Sequence, residues 1–299
     1  MSRTGGGAMV AAAPALFVML WSSGFIGAKL GVASAEPFTL LLLRFAIVLA
    51  CMLPVALLFR VQWPQTPREV AHIATAGLLM QGGYLGGCFS AVYHGMPAGM
   101  IALITGVQPI LTAFAAAPLL GERVTRLQWL GLGLGFGGVA MVVWPKVGIA
   151  GLAPVSVAWA FEALLAITSG TLYQKRWCPS FDLRAGSIIQ FVAAFALLLP
   201  LALLTESMQV DWNLQFVAAL FWLAIVLSIG AVSLLFVLIK HGEATRVSSL
   251  FYLTPLATAA MAYAAFGEQL DALAFAGMLI GVTGVALVLR RPGLPAPEA

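Results

Sequence analysis

Two opposite charges stand inside long apolar runs: Arg44 in "LLLLRFAIVL" and Glu162 in "VAWAFEALLA". Arg44 lies about seven residues into its run and Glu162 about nine into its own, counted from the same face. At ~1.5 Å of rise per residue, that puts both roughly 11 Å or more from water. A lone charge at a helix centre in hydrocarbon costs about 2.5–3.5 kcal/mol. Two opposite charges at one depth can pair, or can hold the two ends of a zwitterion. For Arg44 the competing reading is that its long side chain snorkels to the headgroups. Glu162 is too short to do that well, and it is the one acid inside an apolar run. Removal from water disfavours its charged form, so it is the residue best suited to carry a coupled proton.

Neutral groups form a second set. Pro109 and Pro255 fall in the middle of apolar runs. Each removes a backbone donor and disturbs the carbonyl four residues earlier, at Thr105 and Phe251. Paired breaks of this kind point to a midplane site or to hinges, and the competing reading is a packing kink. Gln108 and Thr254 precede the prolines and are placed to line such a site. Trp21 is mid-run, too deep for an interfacial belt. Gln81 and Tyr84 share a helix face, and Tyr173, Gln190 and Tyr252 are similar polar groups in the second half. The expected binding set is therefore Trp21, Arg44, Gln81, Tyr84, Gln108, Glu162, Gln190 and Tyr252. Pro109, Pro255, Glu122 and Glu268 are the gating or hinge candidates.

Other chemistry is excluded. His72, His94 and His241 share no ligand spacing, so no metal is expected. Gly133-x-Gly135-x-x-Gly138 has the form of a dinucleotide fingerprint, yet no strand precedes it and no acid follows at the required distance. No nucleophile–base pattern or phosphate loop appears, and no cofactor is expected. Cys51, Cys88 and Cys178 have no paired spacing and read as free thiols.

The elements that must carry these residues are membrane helices. The chain has 299 residues, of which 62% are hydrophobic and 9% charged, with a mean hydropathy of +1.01. Soluble domains carry about 25% charged residues. Runs near the ~20 residues needed to cross a bilayer must be helical, because lipid offers the backbone no hydrogen bonds. Breaking the sequence at charges and Pro/Gly clusters gives ten segments: 9–31, 37–59, 70–92, 97–119, 127–145, 153–174, 183–205, 214–239, 246–266 and 273–290. With the N-terminus inside, 12 basic residues fall on the inner side and only Lys29 and Lys146 on the outer side. That bias places both termini in the cytoplasm. It also accounts for the net charge of +4, so no nucleic-acid partner is expected.

Shifting the chain by 146 residues superposes Pro109 on Pro255, Gly121-Glu122 on Gly267-Glu268, and Val139-Ala140 on Val285-Ala286. Ser23-Gly24 likewise meets Ser169-Gly170, and Arg44 meets Gln190. This is a duplication. It divides the chain into units 1–146 and 147–299. Five helices per unit is an odd number, so the second copy enters the membrane from the opposite side. Gly121 and Gly267 read as left-handed helix stops and the glutamates as the return to water. Gly131-x-x-x-Gly135 and Gly277-x-x-x-Gly281 read as small-residue faces for helix contact, within the molecule or between copies.

"LWSSGFIGAKLG" in the first segment, "EPFTLLLLRF" opening the second, and the paired "P…GE…G…G..VA" pattern at 109–140 and 255–286 carry a resemblance over essentially the whole chain. It resembles the EamA-type transporters of the drug/metabolite transporter superfamily. The resemblance implies an all-α integral membrane fold, ten transmembrane helices as two inverted five-helix repeats around a central cavity, with helices 5 and 10 outside it. It implies a secondary transporter that exports small metabolites, often amino acids, by alternating access. The expected location is the inner membrane of a bacterium. The expected partners are a small-molecule substrate, a coupled proton and membrane lipid, with the protein a monomer or weak homodimer. A drug-type cation exporter is the alternative, and a membrane enzyme a distant one.

Overall fold

The computed structural model describes residues 4–59, 61–96, 98–122, 124–143, 153–178, 181–241, 244–257, 261 and 272–289. Among these the regular structure is helical, apart from one isolated antiparallel bridge between Ala35 and Val210. Helix α1 is Thr4–Val32 and α2 is Pro37–Leu58. Helix α3 runs through Pro67–Gly77, the π-helical segment Leu78–Gly83, and Tyr84–Tyr93. Helix α4 is broken into Ala98–Thr105 and Gln108–Leu120, and α5 is Arg126–Val143. Helices α6 and α7 are Pro154–Trp177 and Leu183–Thr205. Helix α8 joins Leu214–Phe221, the π-helical Trp222–Ala231, and Val232–His241. Helix α9 comprises Ala244–Ser249 and the 3-10 turn Leu250–Tyr252, continuing to residue 257, and α10 is Ala272–Leu289.

Five of the described helices are long and apolar enough to cross a membrane: Ala13–Val32, Pro37–Leu58, Pro154–Trp177, Leu183–Thr205 and Leu214–Ile239. Large apolar side chains point outward, Leu204 at 82% and Leu214 at 85% exposure, as lipid-facing residues do. The helix starts are chemically marked. Pro37, Pro67 and Pro154 stand in first turns, where the missing N–H is no loss. Thr66 caps α3, Asp182 caps α7 and Asn213 caps α8 through side-chain oxygens. Gly121, with φ of 71°, ends α4 in the left-handed conformation that favours glycine. Glu122 follows it, and its N–H reaches back to the Ala116 carbonyl at 3.3 Å. The matching Gly267 and Glu268 lie outside the described residues.

The helices pack in pairs that respect the duplication. Helix α1 lies on α8 and α6 lies on α3, while α2 packs on α7, α4 on α9 and α5 on α10. Glycines set the contacts. On α5, Gly131 meets Gly284 and Val288, whereas Gly138 meets Gly277 and Gly281. Rising numbers on one helix meet falling numbers on the other, so α5 and α10 run antiparallel. The same holds for α2 and α7: Glu206 reaches residues 38 and 39, and the Phe45 ring lies 5.4 Å from that of Phe191. Phe45 and Phe191 are equivalent positions under the 146-residue shift. Equivalent helices that cross antiparallel are related by rotation about an axis perpendicular to them.

The irregularities also come in pairs. Helix α4 breaks at residues 106–107, just before Pro109, and α9 tightens into its 3-10 turn just before Pro255. The π-helical stretches of α3 and α8 occupy equivalent positions. Composition and periodicity gave no sign of them.

At one end of the molecule, the α1–α2 and α7–α8 connections are fastened together. Glu206 accepts from the N–H groups of Phe38 and Thr39 and from the Thr39 hydroxyl, each at 2.7 Å. Glu36 accepts from the Ser207 N–H and hydroxyl, each at 2.7 Å, and does not pair with Lys29. Each carboxylate thus serves the other segment, and Glu206 sits at the positive end of α2. The equivalent of Glu36 is Asp182, which accepts from Arg184 at 2.9–3.2 Å and also meets the Gln62 backbone in the α2–α3 connection. The Arg184 guanidinium holds the Asp182 carboxyl below its usual range.

A methyl group at Gly138 would collide with the α10 backbone at Gly277 and Gly281, while one at neighbouring Gly137 would meet nothing within 4 Å. Gly138→Ala is therefore expected to destabilise the fold by about 1–3 kcal/mol, the usual cost of overpacking. Gly137→Ala is expected to cost nothing. Thermal unfolding of both variants in detergent checks the contrast, and equal melting temperatures would refute the α5–α10 contact.

Candidate functional site

A cavity opens among α1, α2, α3, α8 and the start of α4. It brings together Trp21, Arg44, Gln81 and Tyr84, four of the expected binding residues. It offers about 40 Å³ to the centres of water molecules, room for a few waters and too little for a whole amino acid.

Arg44 dominates its electrostatics. The side chain is 2% exposed, so it does not reach the headgroups. Its Nε donates to the Ser228 hydroxyl at 2.7 Å, and its guanidinium carbon lies 6.0 Å from the Phe89 ring centroid. Ser228 in turn donates to the Leu223 carbonyl at 3.1 Å, five residues back. That spacing belongs to the π-helical stretch, which turns Ser228 toward α2. Arg44 commits Nε to the protein and presents the rest of its planar fork to the cavity. Such a fork matches a carboxylate with two parallel hydrogen bonds.

An aromatic wall faces this cation. Trp21 stacks on Tyr84 with ring centroids 6.1 Å apart and 15° between planes, and its Nε1 donates to the Tyr84 hydroxyl at 3.4 Å. Phe251 meets Trp21 edge-on at 5.4 Å. Gln81 is 3% exposed and adds an amide. No acid is among the described residues of the wall. Cation, aromatic slab and amide together suit a small molecule with a carboxylate at one end.

The remaining candidates lie elsewhere. Glu162 does not pair with Arg44. It stands across α3, where Gly83 and Gly87 leave a notch for its carboxylate, and its Oε2 is buried with no hydrogen-bond partner. The notch is on the face of α3 turned away from Tyr84, Leu85 and Cys88. Equal depth fixes the height of two residues in a bundle but not their direction, and α3 stands between them. Gln108 donates to Thr171 at 3.4 Å, and Gln190 donates to Gln174 at 2.9 Å. Tyr252 is fully buried against Gly135, its hydroxyl without a partner. Pro109 and Pro255 follow the two helix breaks and do not line the cavity. Glu122 lies past the end of α4, and Glu268 is outside the described residues.

Ser228, Cys88 and Phe89 escaped the sequence reading. Ser228 is one of two serines, with Ser233, in an apolar run, and only the local π geometry aims it at Arg44. Cys88 is a buried free thiol in the cavity wall.

Comparison with known proteins follows the same lines. Residues 7–144 and 155–290 each match the profile of the EamA-like transporter family. The chain is 28% identical over 204 residues to a Bacillus subtilis (strain 168) protein named uncharacterized transporter YvbV, covering 64% of this chain and 63% of that protein. It is 26% identical to an Escherichia coli (strain K12) protein named probable amino-acid metabolite efflux pump, over 90% of this chain and 91% of that one. A solved crystal structure superposes with a TM-score of 0.79 at 20% identity, covering 94% of this chain and 96% of that one, which shows a shared fold.

Ser228→Ala leaves the buried Arg44 guanidinium without its partner. A loss of about 1–3 kcal/mol is expected. In an Arg44→Met background the same change is expected to cost at least ~0.5 kcal/mol less, because no charge remains to be satisfied. A double-mutant cycle by thermal unfolding measures the difference, and additive losses would mean that Ser228 does not hold Arg44.

Proposed function

The chain belongs to the EamA-like transporter family, and we propose that it is a secondary transporter exporting small carboxylate-bearing metabolites, amino acids foremost. The observation that carries this reading is the buried Arg44 fork, presented to a cavity with an aromatic wall and no acid among its described residues. The relative named as an amino-acid metabolite efflux pump supports the same class.

In this reading all ten helices cross the membrane, in two units 1–146 and 147–299. The antiparallel contact of equivalent helices supports an inverted repeat, because an axis perpendicular to the helices lies in the bilayer plane. The basic residues gathered on one side support an inner-membrane orientation with both termini cytoplasmic. Exchange of shape between the units exposes the central site to one side and then the other. Pro109 and Pro255, at the paired helix breaks, are the hinges. Glu162 carries the coupled proton: its carboxylate occupies a glycine notch in the bundle, has a buried oxygen without a partner, and is not neutralised by Arg44. A drug-type cation exporter would need an acid in the cavity wall, and Glu162 stands outside it.

Arg44→Gln is expected to reduce saturable amino-acid flux into proteoliposomes by about tenfold or more, the worth of a lost charge-assisted hydrogen bond. Flux of cationic dyes alone, with none of amino acids, would reverse the substrate class. Glu162→Gln is expected to abolish stimulation by a pH gradient and to leave amino-acid counterflow intact. Unchanged pH dependence would remove Glu162 from the coupling step.

A further inference from the structure

The cavity has an image. Adding 146 to its residue numbers, or subtracting it, moves Arg44 to Gln190, Ala28 to Gln174, Gly24 to Gly170 and Leu223 to Gly77. These image residues are also together in space. Gln190 donates to Gln174 at 2.9 Å, and both are buried, at 0% and 2% exposure. The Gln190 Oε1 has no partner. A buried amide oxygen left unsatisfied costs about 1–3 kcal/mol, which a packed structural pair would avoid.

The image differs from the cavity in being shut at Gln190. Gly77 of α3 lies directly on the backbone of Gln190, where even a methyl group would collide with its Cα, Cβ and carbonyl oxygen. The equivalent residue, Leu223, instead lines the open cavity beside Arg44. Val232, another wall residue, likewise has Gly86 as its counterpart. The missing side chain at Gly77 allows α3 to close on α7, whereas the bulk of Leu223 keeps the corresponding crossing apart. Gln174 itself, with Lys175 and Cys178, lines a second opening at the end of α6 opposite the carboxylate fastening, while Gln190 does not reach it.

We propose that Gln174 and Gln190 form a second substrate station, the image of the Arg44 cavity, which opens when the two units exchange shape and takes the polar headgroup of the same zwitterionic substrate. The inference rests on the transport reading above. The paired amides donate to a carboxylate and accept from an ammonium without carrying charge themselves. A substrate is thus gripped by a cation in one state and by neutral amides in the other. The second station holds it more loosely.

Thiol accessibility in sealed vesicles tests the opening. In one variant Cys51→Ser and Cys178→Ser leave Cys88 as reporter of the Arg44 cavity. In another, Cys51, Cys88 and Cys178 are all replaced by serine and Gln190→Cys reports the image, with Gln174→Cys as an independent second reporter. A membrane-impermeant maleimide is expected to label Cys88 and the image reporters from opposite faces. Labelling from one common face, or failure of both image reporters to label from either face, overturns the proposal. Labelling needs no transported substrate, so vesicles without amino-acid flux would refute the transport reading while still deciding whether the image opens. Where flux is present, Gln190→Leu is expected to raise the half-saturating amino-acid concentration about tenfold on the face from which Gln190→Cys labels, and less than twofold on the other. A loss of fold would weaken both faces alike, and equal effects on the two faces refute a binding role.

Discussion

Close approach of helix backbones through glycine is the constraint on which this molecule depends. Lipid tails are as apolar as leucine, so burial of oily side chains does not drive its helices together. Packing and interhelical hydrogen bonds do that, and both need short distances. Gly24 and Gly27 bring α1 onto Leu227 and Leu223 of α8, and Gly83 and Gly87 bring α3 onto Ala166 and Ala163 of α6. Gly131, Gly138 and Gly284 do the same between α5 and α10. Where a glycine is present a crossing is tight, and where a larger residue replaces it the helices stand apart. The position of the cavity follows from this rule, because Leu223 occupies the place that is Gly77 in the other half.

Divergence between the duplicated units therefore matters more than their likeness. A perfectly symmetric pair would have two equal cavities or none. Here one unit kept or gained Arg44 and the other has Gln190 at the same place. Ser228, which satisfies the guanidinium, is matched by Gly82, which has no hydroxyl to offer. The charge and its partner come from different units, so neither unit alone could bury Arg44 without leaving it unsatisfied. A charge that requires both halves ties the two units into one site.

Much of this was readable from the sequence. Helix positions followed from apolar runs, since a backbone in lipid has no alternative to helix. The structure extends α1 toward the N-terminus by five residues and otherwise changes the described ends by about three or fewer. Pro109 and Pro255 announced the paired breaks because a missing N–H acts locally. Direction around the helix axis was not readable. Arg44 and Glu162 were matched by depth alone, and the intervening α3 separates them. The π-helical stretches were also silent, because one extra residue per turn leaves no compositional trace, and with them went Ser228. The carboxylate fastening at Glu36 and Glu206 joins loops some 170 residues apart, and each acid alone resembles any surface glutamate.

In the exchange of shapes proposed above, that fastening would make a closed face reversible. Its donors are the backbone N–H groups at the start of α2 and at Ser207, together with the Thr39 and Ser207 hydroxyls. When the contact opens, water takes over both the carboxylates and the freed amides, so no buried group is stranded. A helix cap contributes about 1–2 kcal/mol. Two such contacts hold the connections together by roughly 2–4 kcal/mol, a separated population between about one in thirty and one in a thousand. A ligand needs only that much difference in affinity between the two shapes to reverse the balance. A buried ion pair at the same place would cost several kcal/mol to desolvate and as much to break. The half-buried carboxylate contacts hold more weakly, and in the exchange of shapes proposed above a weaker hold allows the face to open again.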